Sequence, residues 1–290
     1  MSLKNCTLEE FNFNTLAEKV WICPRKGLRK ELIAFNFLSM TKPTELSKCL
    51  VIVSDVLNLN GRESNYLIQS KEIWIELGSA VTPIDVYIEI FLQQMFVNET
   101  SRCFIKTKSG EVISFTVRLL KIEFGGYLFK LNVQRMYDLA SKFKENGVAM
   151  FKKYPLFAQE YFTKAAKCLL SYKPFAVLCL KSDGVDPKDL EKLLQTLQLN
   201  IAACQIKQGR FEDVLYLTEF VESTEEPSEK AIYRRAVAYY NLKKFNEAKT
   251  TIEKVGYKDK PEFSALYSKV LNDWKSENER YNCMVRKMFG

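Results

Sequence analysis

LNIAACQIKQGRFEDVLYLTEFVESTEEPSEKAIYRRAVAYYNLKKFNEAKTTIEKV, residues Leu199–Val255, is the stretch that decides the fold. Displaced by 34 residues it matches itself: Asn200 falls on Arg234, Ala202 on Ala236, Phe211 on Phe245 and Val214 on Ala248. Small side chains at Ala202, Ala236 and Ala248 let two antiparallel helices approach closely, and Phe211 and Phe245 fill the gap at each turn. One such helix pair cannot bury its apolar face alone, so a third is required nearby.

A self-match of helical segments at this period is that of the tetratricopeptide repeat (TPR), a stacked helix–turn–helix unit. Helices extend on both sides of it. Gln134–Lys153 is a long helical stretch, followed by Phe157–Ser171 with Ala158, Phe162 and Ala165. Asp186-Pro187 caps a helix over Asp189–Gln208, which Gly209 closes. Phe211–Glu222, Ser228–Leu242 and Phe245–Lys254 complete three repeats. Pro261 precedes a last helix, Glu262–Met288, whose stripe of Leu266, Val270, Trp274 and Tyr281 is expected to cap the open end of the solenoid.

Upstream, from Leu28 to Ile122, the apolar period is two. Leu32–Leu38, Cys49–Leu57, Tyr66–Leu77, Cys103–Thr107 and Val112–Ile122 read as strands, with turn signals at Asn60-Gly61 and Ser109-Gly110. In the last strand Ile113, Phe115, Val117 and Leu119 are expected to face a core, and Ser114, Thr116 and Arg118 to face water. One helix interrupts them: Thr82-Pro83 supplies an N-cap and a first-position proline, and Ile84, Ile88, Phe91, Leu92 and Met95 fall on one face, as a core stripe. Gly125-Gly126 marks a boundary. The expected class is α+β: an antiparallel sheet with one helix over 1–125, then an all-α solenoid of three repeats with a C-terminal capping helix over 126–290.

Composition narrows the chemistry. The chain has no histidine, which excludes histidine acid–base catalysis and most zinc sites. Its eight cysteines (6, 23, 49, 103, 168, 179, 204, 283) form no C-x-x-C pair and read as reduced thiols of a cytosolic protein, with no metal or cofactor site. The net charge of +8 is dispersed among glutamates, a solvated surface and no nucleic-acid footprint. Arg25, Lys26, Arg29 and Lys30 form a local positive cluster in a solvated turn. Arg234 and Arg235 point about 100° apart on a helix, so one of them is expected to be structural. MSLKNCTLEEF is charged and lacks the apolar core of a leader, and no apolar run spans a membrane, which reads as a cytoplasmic or nuclear location.

Taken together, these parts resemble the FKBP-type immunophilins that carry a C-terminal TPR domain. Lys144-Glu145-Asn146-Gly147 with Phe151-Lys152 is similar to the opening of that family's first repeat, LNIAACQIKQGRF (199–211) to its second and EKAIYRRAVAYYNLKKFNEAK (229–249) to its third. The tail Tyr281–Phe289 resembles its closing segment. On the FKBP side, Glu76-Leu77-Gly78, Met95-Phe96-Val97-Asn98-Glu99 and Ile113–Leu120 resemble framework segments.

The resemblance also implies where an isomerase pocket would lie, and there the chain departs. Ile88 or a neighbour stands where the family has a tryptophan floor, Phe35 where it has a tyrosine, and the pocket aspartate is replaced around Asn65. The long aromatic loop shrinks to Lys106–Glu111, leaving Phe115 as the retained aromatic. Prolyl isomerisation has a barrier of roughly 20 kcal/mol, lowered by desolvating the twisted imide. Without floor and loop no catalytic residue is expected, although an isomerase with an altered pocket is the alternative.

The resemblance further implies a peptide groove. In the co-chaperone branch five positions clamp the two carboxylates at the end of the EEVD tail of heat-shock chaperones. Lys144, Asn200, Lys230 and Arg234 match four of them, and Val148 replaces the fifth, a polar residue. Lysine and arginine would supply charge-assisted bonds, and asparagine would orient a carboxylate. Among pocketless members of the family, the resemblance implies an adaptor for a casein-kinase-1-type kinase in circadian regulation.

Overall fold

The computed structural model describes residues 19–35, 41–69, 71–222 and 227–289. It divides into two compact units, Met1–Asn132 and Val133–Gly290.

The first unit is a six-stranded antiparallel sheet. Its strands are β1 (Val20–Cys23), β2 (Leu28–Phe35), β3 (Lys48–Leu57), β4 (Glu72–Glu76), β5 (Glu99–Lys106) and β6 (Val112–Glu123), in the order β1-β2-β5-β6-β3-β4. β1 and β2 form a hairpin around Pro24–Lys26, with Gly27 left-handed at φ 64. Helix α1 (Pro83–Leu92) starts where Thr82 Oγ1 accepts from Asp85 N, at 3.2 Å. Its stripe of Ile84, Ile88, Phe91 and Leu92, with Met95 beyond its end, packs on Val51, Val53, Phe115 and Val117 of the sheet.

Four local expectations change. β1 goes unread in the sequence, being only four residues long. Of Tyr66–Leu77 only Glu72–Glu76 is strand, because Ser64–Leu67 is folded around the Asp85 carboxylate. Ser114 and Thr116 of β6 are buried, not solvated: Arg102 of β5 lies over them, donating to Ser114 Oγ at 2.8 Å and Thr116 Oγ1 at 3.1 Å. The basic cluster dissolves as well. Lys30 is buried in an ion pair with Glu99, and Arg29 pairs with Glu31. Residues 36–38 of the first expected strand lie outside the described residues.

The second unit is helical: α2 (Val133–Phe151), α3 (Pro155–Leu170), the short α4 (Leu180–Asp183), α5 (Pro187–Lys207), α6 (Phe211–Leu217), α7 (Glu229–Asn241), α8 (Phe245–Glu253) and α9 (Pro261–Phe289). The antiparallel pairs α2–α3, α5–α6 and α7–α8 are the three repeats. Local punctuation sets their starts: Asp186 caps α5 by accepting from Lys188 N at 2.8 Å, and Ser228 caps α7. The self-matching residues divide by role. Ala202 and Ala236, and Val214 and Ala248, are buried between helices, while Asn200 and Arg234 stay on the half-buried surface. Gly147 is required by α3, since a Cβ there would sit 2.5 Å from the Phe162 ring. Phe263, Leu266 and Val270 of α9 pack on the last pair, but Tyr281 is 63% exposed, so the expected stripe ends before it.

Candidate peptide groove on the helical unit

The candidate groove would use the first helix of each repeat. α5 packs against both α2 and α7, so these three helices lie side by side. Lys207, at the end of α5, fixes one flank. Its ammonium donates to Phe151 O at 3.2 Å and lies 4.1 Å from the centre of the Phe151 ring.

Three of the four expected clamp residues come from α5 and α7. Asn200 and Arg234 are both half-buried, on α5 and α7, which pack against each other, and Cys204 lies one helical turn beyond Asn200. Lys230 precedes Arg234 by one turn and is exposed. Lys144 is half-buried on α2, with Val148 one turn further on and 58% exposed. No side chain of these four has a hydrogen bond or ion pair among the described residues. Burial works against the Arg234 charge and lowers its pKa. Burial likewise pushes the Cys204 thiol up to about 11, so it is a neutral neighbour and no nucleophile at pH 7.

Arg235 has the structural role. It is buried, donates to Leu215 O at 2.8 Å and to the Tyr239 hydroxyl at 3.0 Å, and lies over the Tyr239 ring.

In the first unit, the residues expected around a degenerate pocket lie in the core. Ile88 and Phe115 are fully buried, and Phe91 meets Phe115 edge-on at 6.0 Å. Phe35, at the end of β2, is half-buried against Phe96 at 5.6 Å. Two carboxylates of α1 carry more than the sequence pattern announces. Asp85 accepts from the backbone of Asn65 and Tyr66 and from Ser64 Oγ at 2.5 Å. Glu89 accepts from the backbone of Gly78, Ser79 and Ala80, at 2.9 to 3.1 Å. Their spacing of four looks like an ordinary solvated helix face. Only the turns they close show otherwise. Among the described residues no group of three or more Cys, Asp and Glu is placed to hold a metal.

Comparison with known proteins assigns both units. Residues 21–124 match the model of a BDBT FKBP-like N-terminal domain, and residues 132–216 that of a Bride of doubletime-like TPR domain. The chain is 42% identical over 277 residues to the protein Bride of doubletime of Drosophila melanogaster, covering 93% of this chain and 97% of the relative. The chain belongs to the Bride of doubletime-like family. A crystal structure of residues 1–211 of CG17282 superposes with a TM-score of 0.64 at 38% identity, over 68% of this chain and 97% of that one. A multi-domain immunophilin from Arabidopsis thaliana matches at 20% identity and a TM-score of 0.40, over 79% of this chain and 93% of that one. As a member of the Bride of doubletime-like family, the chain joins an FKBP-like unit to TPR repeats, an architecture of protein–protein interaction. Among the described residues no helix is long and apolar enough to cross a membrane.

Proposed function

We propose that this protein is a noncatalytic adaptor whose α2–α5–α7 groove holds an acidic peptide ending in a free carboxylate, such as the EEVD tail of a heat-shock chaperone. The observation that carries this reading is a set of three cations with no ion pair among the described residues. Lys144, Lys230 and Arg234 occupy the first helices of two repeats, with Asn200 between them on the third. A half-buried guanidinium loses part of its hydration, and a carboxylate is a strong partner to replace it. Two carboxylates would meet lysine and arginine as charge-assisted bonds, each contributing on the order of 1–3 kcal/mol.

The test is a fluorescence titration of a labelled peptide ending in EEVD, with the native chain and with Lys230→Ala/Arg234→Ala. Affinity of about 1 μM, roughly −8 kcal/mol, is expected, and at least tenfold loss in the double variant. No saturable binding removes the reading.

The client proposed for the adaptor is a casein-kinase-1-type kinase in circadian regulation, as the family resemblance implies. Co-purification of the full chain with such a kinase domain tests it. The isomerase alternative is disfavoured by the complete burial of Ile88 and Phe115, which gives a prolyl ring no access to them. Turnover of a proline peptide well above the spontaneous rate would reverse that judgement.

A further inference from the structure

The first unit has a cleft of about 400 Å3 where the chain leaves β6. One wall is the loop before β3, with Pro43 and Leu46, and the other is Tyr127 and Phe129. The aromatic wall is continuous. Phe124 meets Tyr127 edge-on at 5.1 Å, and Tyr127 stacks on Phe129 at 5.3 Å with 20° between the rings. Yet Phe129 is 79% exposed.

The cleft is rigidly built. Thr44 Oγ1 donates to Gly126 O at 2.9 Å, and Gly125 approaches Leu46 so closely that a Cβ would lie 1.8 Å from Leu46 O. Polar residues line it from the turn after α1 and from the loop. The Gln93 and Gln94 amides and the exposed Glu45 carboxylate line it, and none has a side-chain hydrogen bond or ion pair among the described residues.

We propose that this cleft binds an extended proline-containing segment that carries a lysine or arginine. Three features select that occupant. Aromatic faces are good partners for pyrrolidine rings, and a polyproline II segment arrives already ordered, so a shallow cleft need not offset much lost entropy. Such a segment has no internal hydrogen bonds, so its carbonyls are free to accept from Gln93 and Gln94. The uncompensated Glu45 carboxylate complements a basic residue beside the prolines. The site lies in the first unit and the cationic groove in the second, and the Lys130 ammonium flanks the aromatic wall, 5.6 Å from the centre of the Tyr127 ring.

The experiment is fluorescence anisotropy of the full chain with a fluorescein-labelled decapeptide of prolines around one lysine. The controls are a Gly/Ser peptide with the same lysine and a proline peptide with glutamine in its place. Saturable binding is expected, with Phe129→Ala weakening it about tenfold, as for an aromatic anchor. Glu45→Gln is expected to abolish the preference for lysine over glutamine, and Lys230→Ala/Arg234→Ala to leave the affinity unchanged. Both cleft side chains are exposed, and circular dichroism confirms folding. No saturable binding, equal affinity for the Gly/Ser peptide, indifference to Phe129→Ala, or loss in the groove variant would each overturn the proposal.

Discussion

The two units treat charge in opposite ways. In the sheet unit the buried carboxylates Asp85, Glu89 and Glu99 are all held by donors, and the buried Lys30 is paired with Glu99. In the helical unit the half-buried Arg234 and the lysines 144 and 230 meet no carboxylate among the described residues. A satisfied buried charge fixes a fold. An unsatisfied one near the surface leaves room for the counter-charge of the proposed peptide.

Breaking a satisfied pair should have the largest effect. Glu99→Ala strands the Lys30 ammonium and removes the acceptor of Phe96 N and Ser101 Oγ. A loss of about 3–5 kcal/mol is expected in urea unfolding of the first unit, and the Lys30→Met/Glu99→Leu double variant should recover much of it. Next comes packing in the helical unit. Gly147→Ala pushes a methyl into the buried Phe162 ring, an overpacking cost of about 1–3 kcal/mol set against about 1 kcal/mol of gained helix propensity. The net destabilisation should shrink in Gly147→Ala/Phe162→Leu.

Alkaline pH sharpens the contrast further. Burial raises the Cys49 thiol from 9.0 to about 12 and the Cys204 thiol to about 11. The unfolded chain therefore releases these protons first. Stability from them is complete below about pH 9 and is lost as pH rises through 11 and 12. Stopped-flow alkylation at pH 8 should accordingly label the exposed Cys179 and Cys283 well before Cys49, Cys103 and Cys204. The smallest effect belongs to the groove. Lys230→Ala/Arg234→Ala should change unfolding free energy by no more than about 0.5 kcal/mol while weakening peptide binding at least tenfold. A large destabilisation would mean that those charges belong to the fold.

Many of the helices were legible because their instructions are local. Thr82-Pro83, Asp186-Pro187 and Ser228 mark helix starts within a few residues of their effect, and the self-match places small residues where helices touch. What escaped depends on partners far along the chain. Ser114 and Thr116 are covered by Arg102, Lys30 is drawn inside by Glu99 sixty-nine positions away, and Asp85 looks solvated until the loop at Asn65 closes on it. The residues proposed for the groove lie on α2, α5 and α7, helices that the repeat pattern marks. That Arg235 and not Arg234 is the structural arginine required the positions of Thr218 and Tyr239.

The last helix carries a consequence of its own. α9 is tied to the end of α7 by the Tyr240–Asp273 hydrogen bond and by Lys243 to Glu277 at 2.6 Å, and its last buried residue is Val270. Beyond Glu277 no side-chain hydrogen bond or ion pair ties it to the repeats among the described residues. Amide exchange along this single helix should therefore form a gradient: protection near the global unfolding limit around Leu266 and Val270, falling turn by turn towards Phe289 as local fraying takes over. A continuous helix would thus contain two thermodynamic regimes, one belonging to the repeats and one to itself.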